Sequence, residues 1–119
     1  NYAIDKSGRV ALYVEECNRA WTSSSKENDD MAVTIEVANQ ELGGEWSVSD
    51  ESYSALIDLC VDICRRNNIS ELIYTGDAEG NLTIHKMFNH KTQCPGPYLE
   101  KRMPEIAETV NERLVKMDN

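Results

Sequence analysis

One stretch of this sequence fits a single secondary structure and constrains the rest. Between Ser49 and Asn68, the apolar residues Tyr53, Leu56, Ile57, Cys60, Val61 and Cys64 recur at the spacing of one helix face. Ser49 is placed to cap the first turn, where Asp50 and Glu51 meet the positive end of the helix dipole. Arg65 and Arg66 suit the last turn, and Asn67-Asn68 suit a left-handed stop. A helix apolar on one side must bury that side against another layer. The β-branched run at 32–38, AVTIEVA, reads as a buried strand of such a layer.

The flanking segments extend the pattern. Tyr2-Ala3-Ile4 and Arg9–Val14 read as two strands joined by the turn Asp5-Lys6-Ser7-Gly8. Residues 22–31 are a polar loop without periodicity, and 39–48, with Gly43-Gly44, form another. Glu71–Thr75 reads as a further strand. A turn-rich GDAEGN and the strand-like Leu82–His85 follow it. Pro97 suits the first turn of a last helix, with Met103, Ile106, Val110 and Leu114 on one face, and Pro104 is expected to break or restart it. Strands alternating with helices give an α/β or mixed α+β class.

At 119 residues the chain supports one domain with a core of its own. It carries 12 Lys+Arg against 21 Asp+Glu, a net charge of −9, which argues against a nucleic acid or an anionic membrane as partner. Its apolar runs fall short of the ~20 residues of a membrane span, and no charged-then-apolar start reads as a signal peptide. Cys60 and Cys64 lie four apart on the helix face and read as core thiols rather than disulfide partners, while Cys94 stands apart.

Three features carry chemistry. Glu36 interrupts the strand at 32–38 and shares a face with Thr34 and Ala38. It is either a solvent-facing position or, if that face lines a cleft, a candidate general base. His85 and Cys94 are residue types that bind Zn²⁺, but a catalytic zinc takes a third protein ligand and an open position. His90 is the one other histidine, and it reads as a solvated loop residue. Trp21, in Arg19-Ala20-Trp21-Thr22, reads either as a groove wall or as an aromatic at the edge of the core.

Taken in order, the hairpin, NRAWTSS, VTIEVAN, the helix, TGD…GNLTIH and TQCPGPYL resemble the zinc-dependent N-acetylmuramoyl-L-alanine amidases of type 2. That superfamily also holds the peptidoglycan-recognition proteins, and the sequence looks most like clostridial-type phage endolysins and autolysins. The resemblance runs from Asn1 to about Leu114 and implies a mixed central β-sheet flanked by helices. It implies zinc held by His85 and Cys94, with Glu36 beside the attacking water. Thr92 or its neighbour Lys91 would stabilise the oxyanion, and Trp21, Thr22 and Ser23 would border the substrate groove. The reaction implied is hydrolysis of the amide between N-acetylmuramic acid and L-alanine, at the cell wall, by a protein secreted or released during phage lysis. The same fold also serves as a muropeptide-binding module without hydrolysis, which is the alternative reading. The family's first zinc histidine lies upstream of the hairpin, and Tyr2 falls two positions late for a tyrosine that assists some members. The resemblance thus implies a single catalytic domain over 1–119 that is N-terminally incomplete, its first histidine either carried by a second peptide or lost.

Overall fold

The computed structural model describes residues 1–18 and 32–117, with the side chain of Met117 excepted. Three short strands, β1 (Tyr2–Ile4), β2 (Val10–Leu12) and β3 (Ile35–Val37), form one mixed sheet in the order β2-β1-β3. β1 runs antiparallel to β2, with Ala3 opposite Ala11, and parallel to β3, with Ala3 opposite Glu36. Two helices follow, α1 (Asp50–Arg66) and α2 (Pro97–Met117), with a 3₁₀ turn at His85–Met87 between them. The chain is α/β, a mixed sheet with one helix packed on it and the second helix on the first.

Alternation along the strands sorts the two faces of the sheet. Ile4 is buried, and Tyr2, Val33, Ile35 and Val37 pack against the same core. Residues of the opposite parity, Ala3, Ala11 and Glu36, face away from the helices. α1 lies on the apolar face and α2 packs on α1. Leu56, Ile57, Cys60, Val61 and Cys64 of α1 meet Leu99, Met103, Ile106, Val110 and Leu114 of α2 in one core. Each fully buried Ile, Leu or Met there contributes about 1.5–3 kcal/mol.

The start of α1 is tied to the β1–β2 turn. Ser49 Oγ accepts from the Ser52 amide at 3.1 Å and donates to the Lys6 carbonyl at 2.6 Å. Ser52 Oγ donates to the Asp5 carbonyl at 2.6 Å. The turn is closed by Asp5, whose Oδ1 accepts from the Ser7 and Arg9 amides. Gly8 sits at φ +86, and a Cβ there would come within 2.8 Å of the Glu51 carbonyl oxygen. The far end of α1 stops at Asn68, at φ 58, as its sequence predicts. Asn1 joins the ends of the outer strands, its side-chain amide donating to the Val14 and Glu15 carbonyls while its oxygen accepts from the Thr34 amide.

Five expectations are corrected. The strands expected at 9–14 and 32–38 shorten to Val10–Leu12 and Ile35–Val37. Residues 71–75 are not in a ladder, because side-chain amides take the place of a neighbouring strand. Asn111 of α2 accepts from the Leu72 amide at 2.7 Å and donates to its carbonyl at 2.9 Å. Asn81 Oδ1 accepts from the Ile73 amide at 2.6 Å. Leu82–His85 is not a strand either: the Leu82 amide makes a backbone bond to the Ile73 carbonyl, and His85 opens the 3₁₀ turn. Pro104 lies inside α2 and does not break it. Its missing N–H forfeits one helical bond, and the buried face running from Leu99 to Leu114 outweighs that loss.

Candidate active site

The face of the sheet turned away from the helices is the floor of an open groove of about 470 Å³. Ala3, Ala11 and Ala38 keep the floor low. Glu36 rises from β3, and Asp5, Arg9 and Tyr13 line the other side. Glu36 is exposed on this groove. The even-numbered face of β3 thus lines a cleft, the condition under which Glu36 becomes a candidate base. Arg9 and Tyr13 were not singled out from the sequence. Their signal was the alternation Arg9-Ala11-Tyr13 along β2, which puts both on the Glu36 face. Tyr13 is 78% exposed, and Arg9 is held by Asp5 at 2.7 Å.

The second half of the site is the loop from His85 to Gly96. Cys94 lies nine positions after His85, yet the loop closes on itself. The Lys86 amide donates to the Cys94 carbonyl at 3.1 Å. The Phe88 and Asn89 amides both donate to the His85 carbonyl, and the Gly96 amide donates to Gln93 at 2.7 Å. Cys94 therefore sits inside a tight turn, beside the residue that follows His85. The turn contains a cis Cys94–Pro95 peptide bond. Lys86 Nζ meets the Glu100 carboxylate of α2 at 2.8 Å and anchors the loop to the helix.

Electrostatics joins the halves. Cys94 is exposed by surface area, but its sulfur is packed closely enough for burial to push the thiol up. The negative charge of Glu36 raises it further. The core thiols are kept neutral chiefly by burial, which together with the neighbouring Cys64 pushes Cys60 up to about 12 and by itself raises Cys64.

The elements that carry the Glu36 groove and the His85–Gly96 loop are those by which the sequence resembles the amidases, and a comparison with family models bears on that family. The model described as N-acetylmuramoyl-L-alanine amidase matches residues 1–97. The chain belongs to the N-acetylmuramoyl-L-alanine amidase family. No curated protein and no solved structure gives a significant match. The family match spans the sheet, α1 and the whole His85–Gly96 loop of this amidase-family chain, so all parts of the candidate site fall within it.

The remaining site candidates of the amidase-family chain divide. Thr92 belongs to the Cys94 turn, its Oγ1 accepting from the Cys94 amide at 3.1 Å, which leaves the hydroxyl hydrogen able to donate elsewhere. Lys91 is exposed on the same turn, its amide capped by Asn89, and His90 is exposed beside it. Trp21, Thr22 and Ser23 lie outside the described residues, as does the polar loop expected at 22–31. For zinc, His85 and Cys94 offer one imidazole and one thiolate, a donor pair suited to the ion. Among the described residues no three His, Cys, Asp or Glu side chains come together as a metal-binding group. A catalytic zinc takes three protein ligands, and the described residues do not assemble such a set. Among them, too, no helix is long and apolar enough to cross a membrane.

Proposed function

We propose that this chain hydrolyses the amide bond between N-acetylmuramic acid and L-alanine in peptidoglycan, as an endolysin- or autolysin-type domain acting at the cell wall. The observation that carries the reading is the exposed carboxylate of Glu36 on the floor of an open groove, inside the segment matched by the amidase family. The muropeptide lies along the groove over Ala3, Ala11 and Ala38, with Tyr13 and Arg9 bordering it. Glu36 accepts a proton from the attacking water and returns it to the leaving amine of L-alanine. The Thr92 hydroxyl, or alternatively the Lys91 ammonium, donates to the oxygen that becomes negative as the carbonyl is attacked. His85 and Cys94 would be two ligands of a zinc ion, with the third protein ligand supplied from outside the described residues. Zinc there would supply a polarised carbonyl and water of lowered pKa.

The test is digestion of purified cell wall by zinc-replete protein, scoring newly exposed N-terminal L-alanine. Glu36→Ala is expected to lower turnover by about 10²–10⁴-fold, the usual contribution of a positioned acid–base group, with bound zinc and thermal midpoint unchanged because Glu36 is exposed. Activity surviving that change would remove Glu36 from the mechanism. Wall binding with no new amino termini would identify the muropeptide-binding module instead.

A further inference from the structure

The loop that leaves β3 closes on itself and is fastened to the start of α2, just past the Cys94 turn. The Gln40 amide donates to Ser47 at 2.8 Å, and the Trp46 amide donates to Gly43 at 2.9 Å. Asn39 Nδ2 donates to the Trp46 carbonyl at 2.6 Å. The Glu45 carbonyl accepts from the Tyr98 amide at 3.0 Å, and the Glu45 carboxylate meets Lys101 Nζ at 2.5 Å. Trp46 is the centre of this strap and the one residue in it that defies its own backbone preference. It holds φ 56, a left-handed conformation that a bulky aromatic residue rarely adopts. Such strain persists only where the surroundings impose it.

What the strained conformation achieves is a contact. It lays the Trp46 Cβ and Cγ on the α-carbon of Gly96, so closely that a Cβ at Gly96 would stand 2.9 Å from the Trp46 Cβ. Gly96 is buried, at φ +89, and closes the turn that holds Cys94 through its bond to Gln93. Trp46 remains 38% exposed, so burial of its ring is not the sole return on the strain. We propose that Trp46 is a positioning residue for Cys94: seated on Gly96, it fixes the Gln93–Gly96 turn relative to the strand that carries Glu36. The strap is the shortest covalent path from Glu36 to that turn's packing, so one side chain sets the relation between the two halves of the site. The proposal rests on the amidase reading only for its consequence in catalysis.

The test separates the two. In a Cys17→Ser background Cys94 is the exposed thiol, and the buried Cys60 and Cys64 report global opening. Trp46→Asn keeps a residue that tolerates the left-handed backbone but deletes the ring, whereas Trp46→Phe keeps an aromatic on Gly96. Site-resolved alkylation by iodoacetamide is expected to be at least fivefold faster at Cys94 in Trp46→Asn, with Cys60 and Cys64 still protected. In Trp46→Phe the Cys94 rate should stay within twofold of the parent. On cell wall, Trp46→Asn should lower kcat at least tenfold with KM changed less than threefold. An unchanged Cys94 rate in Trp46→Asn overturns the proposal. A changed rate in a parent without amidase activity supports the positioning role and overturns only the amidase reading. Should Trp46→Asn fail to fold, seen as Cys60 and Cys64 reacting as fast as Cys94, Trp46→His takes its place with the same outcomes, histidine also tolerating this backbone region.

Discussion

Replacing Asn111 by alanine should destabilise the fold well beyond what a polar helix residue usually contributes. Asn111 is half-buried on α2 and its amide clasps the backbone of Leu72 on both sides, at 2.7 and 2.9 Å. The segment it clasps is the one that leads into His85, and its leucine is buried in the core. Each of these two bonds contributes about 0.5–1.5 kcal/mol net, and each backbone group left unpaired costs about 1–3 kcal/mol if water cannot reach it. Glu71 and Ile73 on either side are exposed, so water relieves part of that second cost. The expected loss is about 2–3 kcal/mol. For a domain of this size that is a drop in melting temperature of roughly 6–15 °C. Urea unfolding followed by circular dichroism measures it, with hydrogen exchange at the Leu72 amide as the local readout. Asn111→Asp sharpens the case. It keeps the acceptor for the Leu72 amide but sets an oxygen against the Leu72 carbonyl, so at neutral pH it should cost at least as much as alanine. Part of the deficit should return as pH falls below about 4, the ordinary carboxyl range, where the protonated acid regains a donor. A loss below about 0.5 kcal/mol for Asn111→Ala, within the range of ordinary surface changes, would refute the idea that this clasp holds residues 71–75 in place of a neighbouring strand.

Two further outcomes are expected. Arg66 holds the Glu16 carboxyl down to about 2 from an ordinary 4.5, with Tyr2 and Asn67 adding hydrogen bonds to it. A depressed carboxylate contributes stability that is complete above its unfolded value and is lost as pH falls through its folded value, so Glu16→Gln should flatten the acid limb between about pH 4.5 and about 2, checked by urea midpoints across that range. Gly80→Ala should destabilise by about 1–3 kcal/mol through overpacking, since a Cβ there would overlap the Ile73 carbonyl oxygen that accepts from Asn81 and Leu82. An unchanged midpoint would mean that this loop is free to move aside.

Local chemistry made α1 legible residue by residue. Ser49, the acidic first turn, the 3.6-residue apolar stripe and the Asn67-Asn68 stop act within a few residues of one another, and each falls in the structure where its sequence puts it. The face of β3 was legible for the same reason, because alternation alone sends Val33, Ile35 and Val37 inward and Glu36 outward. Glu36, His85 and Cys94 were marked by residue type and by resemblance, and the groove beside Glu36 and the closed loop around Cys94 became visible only in three dimensions.

What the sequence could not decide depended on partners distant along the chain. Glu71–Thr75 has the composition of a strand, but whether it pairs as one rests on what lies beside it, and there Asn111, thirty-nine residues on, offers an amide instead of a ladder. Pro104 looks like a helix breaker when judged by its own missing N–H, and only the packed face of α2 overrides it. Trp46 has no local reason to adopt a left-handed backbone; the reason is Gly96, fifty residues away. Propensity and periodicity are sums over near neighbours, so they determined the elements of this protein. Long-range contacts, which no local pattern encodes, decided which backbone groups pair and which side chains share the groove.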